Sequence, residues 1–179
     1  GDFSAAGVVV AAGAWTGTLP GLEAFSTQNF PVRGQMLLFK LPPDSLTTIV
    51  LQNGRYLIPR QDGHVLAGST LEWSGFDKST TDSARQALLV FAAGIVPALS
   101  ERVLVKHWSG LRPGSPENVP IIAPHPGFSN LFINSGHFRY GVTMAPGSAR
   151  LLADLIEGKP TAISVAPYAQ SMNPHTALA

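Results

Sequence analysis

The stretch Leu131-Phe-Ile-Asn-Ser-Gly-His-Phe-Arg-Tyr-Gly-Val-Thr-Met-Ala-Pro146 joins a short apolar run to a glycine-flanked turn and then to a proline. The run Leu131–Asn134 predicts a strand, and Pro146 suits the first turn of a helix. Free backbone N–H groups and the positive end of a helix meet at such a turn. The stretch therefore predicts a site for an anion or an electron-rich ligand. An ordinary turn with an incidental His137 and Arg139 is an equally good interpretation.

A second pattern of this kind lies near the first residues. Val8–Ala12 is a continuous apolar run that ends at Gly13, which is typical of a strand buried on both faces of an α/β sheet. The helix that begins near Pro146 is expected to run through about Glu157 and to stop at Gly158. These segments do not make a domain alone, and they predict returning strands of a sheet whose other half is absent.

The region between these segments predicts an antiparallel sheet with one helix. Asp62-Gly63 between two apolar runs is the strongest hairpin signal of the sequence. A helix is expected from Thr81 or Asp82 through about Leu99, with a break at Pro97. The predicted strands are Val32–Leu41, Thr47–Gln52, Arg55–Arg60, His64–Ser69 and Val103–Trp108. The predicted fold class is therefore α+β.

Composition and charge exclude several classes of protein. The 179 residues carry 12 Lys and Arg against 11 Asp and Glu, a net charge of +1 without a basic patch, which argues against nucleic-acid binding. The absence of cysteine excludes disulfide frameworks, thiolate metal sites and cysteine-linked cofactors. The longest apolar stretch, Ala87–Leu99, is too short and too broken for a membrane span, and the first residues lack the basic flank of a signal peptide. A cytoplasmic protein is predicted.

Arg112 is a candidate ligand-binding residue. Pro113 and Gly114 are predicted to turn the chain directly after it, so that its side chain projects from a strand end. A guanidinium fork matches a carboxylate through two parallel hydrogen bonds, which a lysine cannot copy. A surface arginine, or one paired with Glu117, is the alternative interpretation.

Other chemistries lack support in the sequence. None of the five histidines has metal-ligand spacing, so no metal site is predicted. No Gly-x-Ser-x-Gly elbow occurs, which leaves a hydrolase without support. Glu72 and Asp77 flank a Trp-Ser-Gly turn and are predicted to be solvated rather than to form a catalytic pair. The phosphate-binding fingerprint Gly-x-Gly-x-x-Gly is also missing from these residues.

Six short blocks follow one another along most of the chain. They are Val-Val-Val-Ala-Ala-Gly-Ala-Trp (8–15), Pro-Val-Arg-Gly-Gln (31–35), Tyr-Leu-Ile-Pro-Arg (56–60), Leu-Ala-Gly-Ser-Thr (66–70), Trp-Ser-Gly-Leu-Arg-Pro-Gly-Ser-Pro-Glu-Asn-Val-Pro-Ile-Ile (108–122) and Gly-His-Phe-Arg-Tyr-Gly-Val-Thr-Met-Ala-Pro (136–146). In this order they resemble the FAD-dependent amine and amino-acid oxidases, the D-amino-acid oxidase and glycine oxidase group. The last two blocks are most similar to glycine oxidase of the thiamine pathway.

The resemblance implies roles for particular residues. Arg112 matches the arginine that grips the substrate carboxylate, and Arg139 matches a second arginine beside substrate and flavin. Tyr56 matches a tyrosine at the carboxylate, and Leu71 falls where glycine oxidase has a methionine that lines the pocket. The residues implied to hold the isoalloxazine ring of non-covalent FAD are His137, Phe138, Arg139, Tyr140, Gly141, Val142 and Thr143. The helix near Pro146 would direct its positive end at the ring, and no side chain is implied as a catalytic acid or base.

The activity implied is oxidative deamination of glycine, sarcosine or D-amino acids. A hydride passes to flavin N5, and oxygen reoxidises the flavin and is reduced to peroxide. Two alternatives stay open. One is a D-amino-acid dehydrogenase of the same family that passes electrons to a quinone. The other is a non-catalytic ligand-binding or subunit module.

The resemblance also implies a division of the chain. Residues 1–31 and 113–160 would belong to a split FAD-binding α/β domain whose N-terminal half is absent, contributing its returning strand and C-terminal helix. Residues 32–112 would form the antiparallel substrate-binding sheet, and 161–179 a tail. The N-terminal half is expected on the same precursor or on a separate polypeptide, and self-association is a further expectation.

Overall fold

The computed structural model describes residue 2 and residues 4–102 and 104–169. In these residues the strands are β1 (Val8–Val10), β2 (Phe30–Lys40), β3 (Val50–Gln52), β4 (Arg55–Pro59), β5 (His64–Gly68), β6 (Leu104–Gly114), β7 (Ile121–Pro124) and β8 (Leu131–Ser135). The α-helices are α1 (Asp82–Ile95), α2 (Gly141–Ile156) and α3 (Ala166–Ala169). The chain divides into two compact units: unit 1, residues 1–32 and 112–179, and unit 2, residues 33–111.

Unit 1 contains a three-stranded sheet in the order β1-β8-β7. The strand β1 runs parallel to β8, with Val8 opposite Leu131, and β7 runs antiparallel to β8. The buried Ile133 of β8 packs with residues from β7 and from the 3₁₀ turn near Phe25, whereas Ile122 of β7 packs against α2. The two segments that the sequence predicted to share a sheet are therefore neighbouring strands.

The burial predicted for Val8–Ala12 is wrong. The strand ends at Val10, and the side chains of Val8 and Val9 are 47% and 43% exposed. The cause is the position of β1 at the edge of the sheet, where β8 is its single neighbour among the described residues. A run of β-branched residues predicts a strand, but it does not tell whether elements of the same chain cover its faces.

The predicted start of the second long helix is also wrong. The helix α2 begins at Gly141, so Pro146 lies inside it, and the prediction that Gly158 ends the helix is confirmed by the left-handed φ of +64° there. Proline lacks an N–H and therefore removes the bond to the carbonyl of Val142, a residue of the exposed first turn. One missing bond near a helix end does not stop the helix.

The predicted turn after Arg112 is absent, because β6 continues through Pro113 to Gly114. Proline is tolerated in β6 since this strand lies at the edge of the five-stranded sheet β3-β4-β5-β2-β6. Gly114 serves close packing rather than a turn: a Cβ atom built there would lie 2.5 Å from the ring of Phe30.

Unit 2 follows the sequence prediction more closely. Its antiparallel hairpin β4–β5 turns at Gly63, which has a φ of +85°, and Thr81 caps α1 through its side chain. The predicted break at Pro97 is confirmed, since α1 ends before it and a 3₁₀ turn follows. One face of the sheet packs against α1 in a core of Leu37, Phe39, Leu41, Leu57, Val65, Ala67, Leu88, Ala92 and Leu99.

The predicted tail is partly structured. The helix α3 lies within it, and Val165 and Tyr168 pack against the cluster of Ile122 and α2. The rest of the predicted tail, 170–179, lies outside the described residues, as does Val103 at the start of a predicted strand. Within the described residues no helix combines the length and apolar character that crossing a bilayer requires, and no group of acidic and histidine side chains has the arrangement of a metal site.

Candidate functional site

The turn between β8 and α2 has an unusual backbone. Gly136 has a φ of +83°, and Phe138 adopts a left-handed φ of +48°, which a bulky side chain seldom does. The N–H of Tyr140 donates to the carbonyl of His137 at 2.9 Å, which closes the turn. Left-handed residues reverse the chain within five positions, so α2 starts immediately after the turn.

Two hydrogen bonds fasten this turn to the end of β6. The N–H of Phe138 donates to the carbonyl of Pro113 at 2.8 Å. The buried hydroxyl of Ser115 donates to the carbonyl of Gly136 at 2.7 Å. Arg112 and Arg139, which sequence reasoning singled out separately, therefore stand on segments that are joined within unit 1.

The two arginines differ in environment. Arg112 is a half-buried residue of a strand, and Arg139 is an exposed residue of the turn. A strand position fixes the backbone of Arg112 on a regular element, and the turn presents Arg139 to solvent. Arginine side chains are well suited to binding anionic groups through charge-assisted hydrogen bonds.

The first turn of α2 lacks a side-chain cap. Tyr140 occupies the capping position and its side chain makes no capping bond, and no acidic residue lies in the first turn. The N–H of Met144 makes the first intrahelical bond, to the carbonyl of Tyr140 at 2.8 Å. The N–H groups of Gly141, Val142 and Thr143 precede it and have no intrahelical acceptor. They form the positive end of a 16-residue helix.

A relay of three side chains locks the turn onto α2. The hydroxyl of Ser148 donates to Asn134 Oδ1 at 2.7 Å and therefore accepts from His137 Nε2, 2.9 Å away. Burial lowers the pKa of His137, so the ring is neutral at neutral pH and carries its proton on Nε2. The predicted cofactor residue His137 thus holds the turn in place.

Tyr56 and Leu71 belong to unit 2. Tyr56 is a half-buried residue of β4 opposite Gly68 of β5, and its hydroxyl lies 3.8 Å from Met36 Sδ. A Cβ atom at Gly68 would lie 3.0 Å from the Tyr56 ring, so glycine lets the ring lie close to the neighbouring strand. Leu71 follows β5 and is 38% exposed.

Sequence reasoning missed a buried arginine in unit 2. The side chain of Arg33 is 7% exposed and forms ion pairs of 2.6 Å with both Glu72 and Asp77, so the prediction that these acids are simply solvated is wrong. Hydrogen bonding to Glu72 raises the pKa of Arg33. The motif 31–35 was the available signal, but the acids lie 39 and 44 positions further along the chain.

The carboxyl groups are held ionised in different ways. Burial opposes ionisation of Glu72, but hydrogen bonds from Thr70, Arg33 and Gln35 outweigh it and lower its pKa. Bonds from the backbone and side chain of Ser79, together with Arg33, lower the pKa of Asp77.

The chain is similar in sequence and in fold to several known proteins. The glycine oxidase of Pseudomonas aeruginosa is 51% identical over 169 residues, which is 94% of this chain and 46% of that protein. The D-amino acid dehydrogenase of Neisseria gonorrhoeae is 31% identical over 91% of this chain and 39% of its own length. The crystal structure of glycine oxidase from Geobacillus kaustophilus matches with a TM-score of 0.85 at 35% identity, over 93% of this chain and 45% of that one.

The chain spans about half the length of the curated relatives it matches. The resemblance to glycine oxidase and the mixed α and β fold predicted from sequence are confirmed. A family model described as DAO, FAD dependent oxidoreductase, matches residues 1–155. With that match, a superposable fold and the quoted blocks in one sequence, this chain belongs to the FAD-dependent oxidoreductase family DAO.

Proposed function

We propose that this chain forms the flavin-ring and substrate part of an amino-acid oxidase of the glycine oxidase type. The observation that carries the proposal is the hydrogen bond from Phe138 N–H to Pro113 O. It joins the strand of Arg112 to the turn of Arg139 directly ahead of an uncapped helix end. The higher identity to glycine oxidase than to D-amino acid dehydrogenase, 51% against 31%, favours oxygen as the electron acceptor over a quinone.

The residues at the start of α2 fit the electron-rich edge of a flavin ring. The N–H groups of Gly141, Val142 and Thr143 supply donors and a partial positive charge, and Val142 is 93% exposed. Gly141 carries no side chain that would stand between the helix end and a flat ring. When bound, FAD supplies the oxidising chemistry. The role of these residues is to bind the ring and to favour added negative charge on it.

Arg112 is assigned to the substrate carboxylate and Arg139 to the same group or to the flavin edge. Arg112 is a half-buried residue of a strand, and an arginine fork can donate two parallel hydrogen bonds to a carboxylate. Orienting the substrate in this way supplies much of the rate without a catalytic acid or base from the chain.

Tyr56 and Leu71 are assigned to the substrate on the resemblance to glycine oxidase. The phenol of Tyr56 supplies a polar group, and Leu71 supplies apolar surface. Apolar walls near the substrate side chain favour small amino acids, although a methylene discriminates by only about 1–3 kcal/mol.

The split of the FAD-binding domain is part of the proposal. Two features support it: the exposed edge strand β1, and the absence of a Gly-x-Gly-x-x-Gly turn for the pyrophosphate from the sequence. Residues outside these 179 would supply that turn. A cytoplasmic location and self-association stay predictions, which cell fractionation and gel filtration would test.

The test replaces Arg112 in the flavin-loaded protein. For Arg112→Met, kcat/KM for glycine is expected to fall by about 30-fold or more, because a charge-assisted pair is lost. The value for methylamine, which lacks the carboxylate, is expected to stay within a factor of about two. Arg112→Lys is expected to recover only part of the loss.

Arg150→Met is the matched control, since Arg150 is an exposed arginine of α2 paired with Asp154. This variant is expected to leave kcat/KM unchanged for both glycine and methylamine. Equal losses for glycine and methylamine in Arg112→Met would contradict the carboxylate assignment. Reduction of a quinone-like dye without oxygen consumption would contradict the oxidase assignment.

A further inference from the structure

The segment 70–81 connects β5 to α1 and exposes several large apolar side chains. Trp73 is 72% exposed, Phe76 44% and Leu71 38%. A connection of this kind is normally among the more mobile parts of a fold. Apolar side chains on a mobile connection make a poor wall for a binding site.

Arg33 holds the middle of this segment at two points. Its Nε and Nη2 both donate to Glu72 Oε2, at 2.9 and 2.6 Å. Its Nη1 donates to Asp77 Oδ2 at 2.6 Å and to the carbonyl of Ser79 at 3.1 Å. The main chains of Arg33 and Glu72 also exchange two hydrogen bonds, of 2.8 and 3.0 Å. The side chain of Arg33 thereby binds the residues on both sides of Trp73–Phe76.

Gln35 holds both ends of the same segment. Its side chain is fully buried and donates to Glu72 Oε1 at 2.9 Å, and its Oε1 accepts from the N–H of Thr81 at 2.9 Å. Its main-chain N–H donates to Thr70 Oγ1 at 2.8 Å. Alternate residues of β2 therefore fix positions 70, 72, 77 and 81.

The charge of Arg33 is already compensated by two carboxylates. Two carboxylates face one guanidinium, and three of its nitrogen atoms already donate to them. A lysine has a single nitrogen at the end of its chain, so it cannot reach both acids in this geometry. The arginine is required for the double attachment.

We infer that Arg33 is a positioning residue that holds Leu71 and its neighbours as a fixed wall, so that the size limit for the substrate is set by this attachment. The inference rests on the proposed function for the role of Leu71. Arg33 lies in β2 and acts through its ion pairs with Glu72 and Asp77, without contacting the substrate itself.

The first measurement needs no activity. Hydrogen exchange of the 179-residue chain is compared for the wild type, Arg33→Lys and the control Arg60→Lys, an exposed arginine of unit 2. Amides of 71–79 are expected to exchange about tenfold faster or more in Arg33→Lys, while those of β4 and β5 stay unchanged. Trypsin is expected to cut after the exposed Lys78 faster in that variant alone.

Asp77→Asn provides a variant that keeps the fold, because this side chain is 52% exposed. It removes one attachment, so faster exchange is expected in 74–79 and not at Glu72. Unchanged exchange in both Arg33→Lys and Asp77→Asn would overturn the inference.

The second measurement uses the flavin-loaded protein. The ratio of kcat/KM for D-alanine to that for glycine is expected to rise about fivefold in Arg33→Lys, since a released wall admits the larger side chain. Faster exchange with an unchanged ratio would overturn the role in substrate selection. If the wild type oxidises neither amino acid, the proposed function fails, and the exchange data still decide whether Arg33 holds the segment.

Discussion

The two long helices begin in opposite ways. The helix α1 starts with a side-chain cap from Thr81 to the N–H of Ala84 and has Asp82 in its first turn. The helix α2 starts after Tyr140 with neither a side-chain cap nor an acid. Helix starts in proteins usually resemble α1. The difference is that the first N–H groups of α1 have a side-chain acceptor, whereas those of α2 have none, which is what the proposed flavin site requires.

The largest expected effect concerns what supports each helix. Leu88 of α1 is fully buried among Leu37 and Phe39, so Leu88→Ala is expected to lower the free energy of unfolding by about 2–5 kcal/mol. Val142→Ala at the start of α2 is expected to change it by less than about 0.5 kcal/mol, because Val142 is 93% exposed. Urea denaturation of both variants checks this. Similar losses would show that the start of α2 is supported by the chain after all.

The second effect places an acid at the open helix end. Val142→Asp is expected to weaken flavin binding about tenfold, or ~1.4 kcal/mol. The new carboxylate would interact with the first N–H groups of α2 and neutralise the partial positive charge that favours the flavin. The melting temperature is expected to stay the same or rise. Titration of flavin fluorescence measures the affinity. Ser83→Asp in the first turn of α1 is the control, and an equal loss there would contradict the assignment.

The third effect removes the existing cap. Thr81→Ala is expected to cost about 1 kcal/mol of unfolding free energy, and Thr143→Ala less than about 0.5 kcal/mol. Thr81→Ser keeps the hydroxyl and is expected to retain most of the stability. Thermal denaturation separates the three. Equal losses of unfolding free energy in Thr81→Ser and Thr81→Ala would show that the capping hydroxyl contributes nothing to stability.

The smallest expected effect is a dependence of the folding stability on pH, caused by one histidine near the start of each long helix. His137 holds the turn before α2. Nε2 of His107 lies 3.0 Å from Gln35 Oε1, which also accepts a hydrogen bond from the N–H of Thr81 at the start of α1. Burial lowers the pKa of both rings, and Arg85 adds to the lowering at His107. The unfolded chain therefore binds protons more readily. The stabilisation is complete above the ordinary value of 6.5 and is lost as the pH falls through the lowered values.

Denaturation at about pH 7.5 and about pH 5.5 measures this loss. The variant His137→Gln is expected to reduce the difference, because glutamine gains no charge. NMR titration of the ring protons identifies each histidine. A pKa of His137 at or above the ordinary value would contradict the effect of burial.

Features with a local cause were predictable from the sequence. The hairpin at Asp62-Gly63 depends on turn chemistry within four residues, and the Thr81 cap depends on its own helix. Both predictions are confirmed. The order of the blocks also predicted the family.

Features that depend on distant neighbours were not predictable. Pro113 and Pro146 were expected to mark a turn and a helix start, but an edge strand and an exposed helical turn tolerate a missing N–H. The strand β7 was missed because its short run between prolines has no alternation. The roles of Arg112 and Arg139 stay predictions.

The pairing of β1 with β8 has a consequence for synthesis and folding. The strand β1 is made before unit 2, but the partner residue of its Val8 is Leu131. Unit 2 is one continuous segment, 33–111, and is finished before β8 exists. Closing a long loop is slow, and prior folding of the residues inside it shortens the effective loop. We therefore expect unit 2 to gain protection from pulsed hydrogen exchange first and β1 last, and simultaneous protection would contradict this order. An interruption of translation between unit 2 and β8 would then leave a folded unit 2 attached to a β1 that lacks its partner β8.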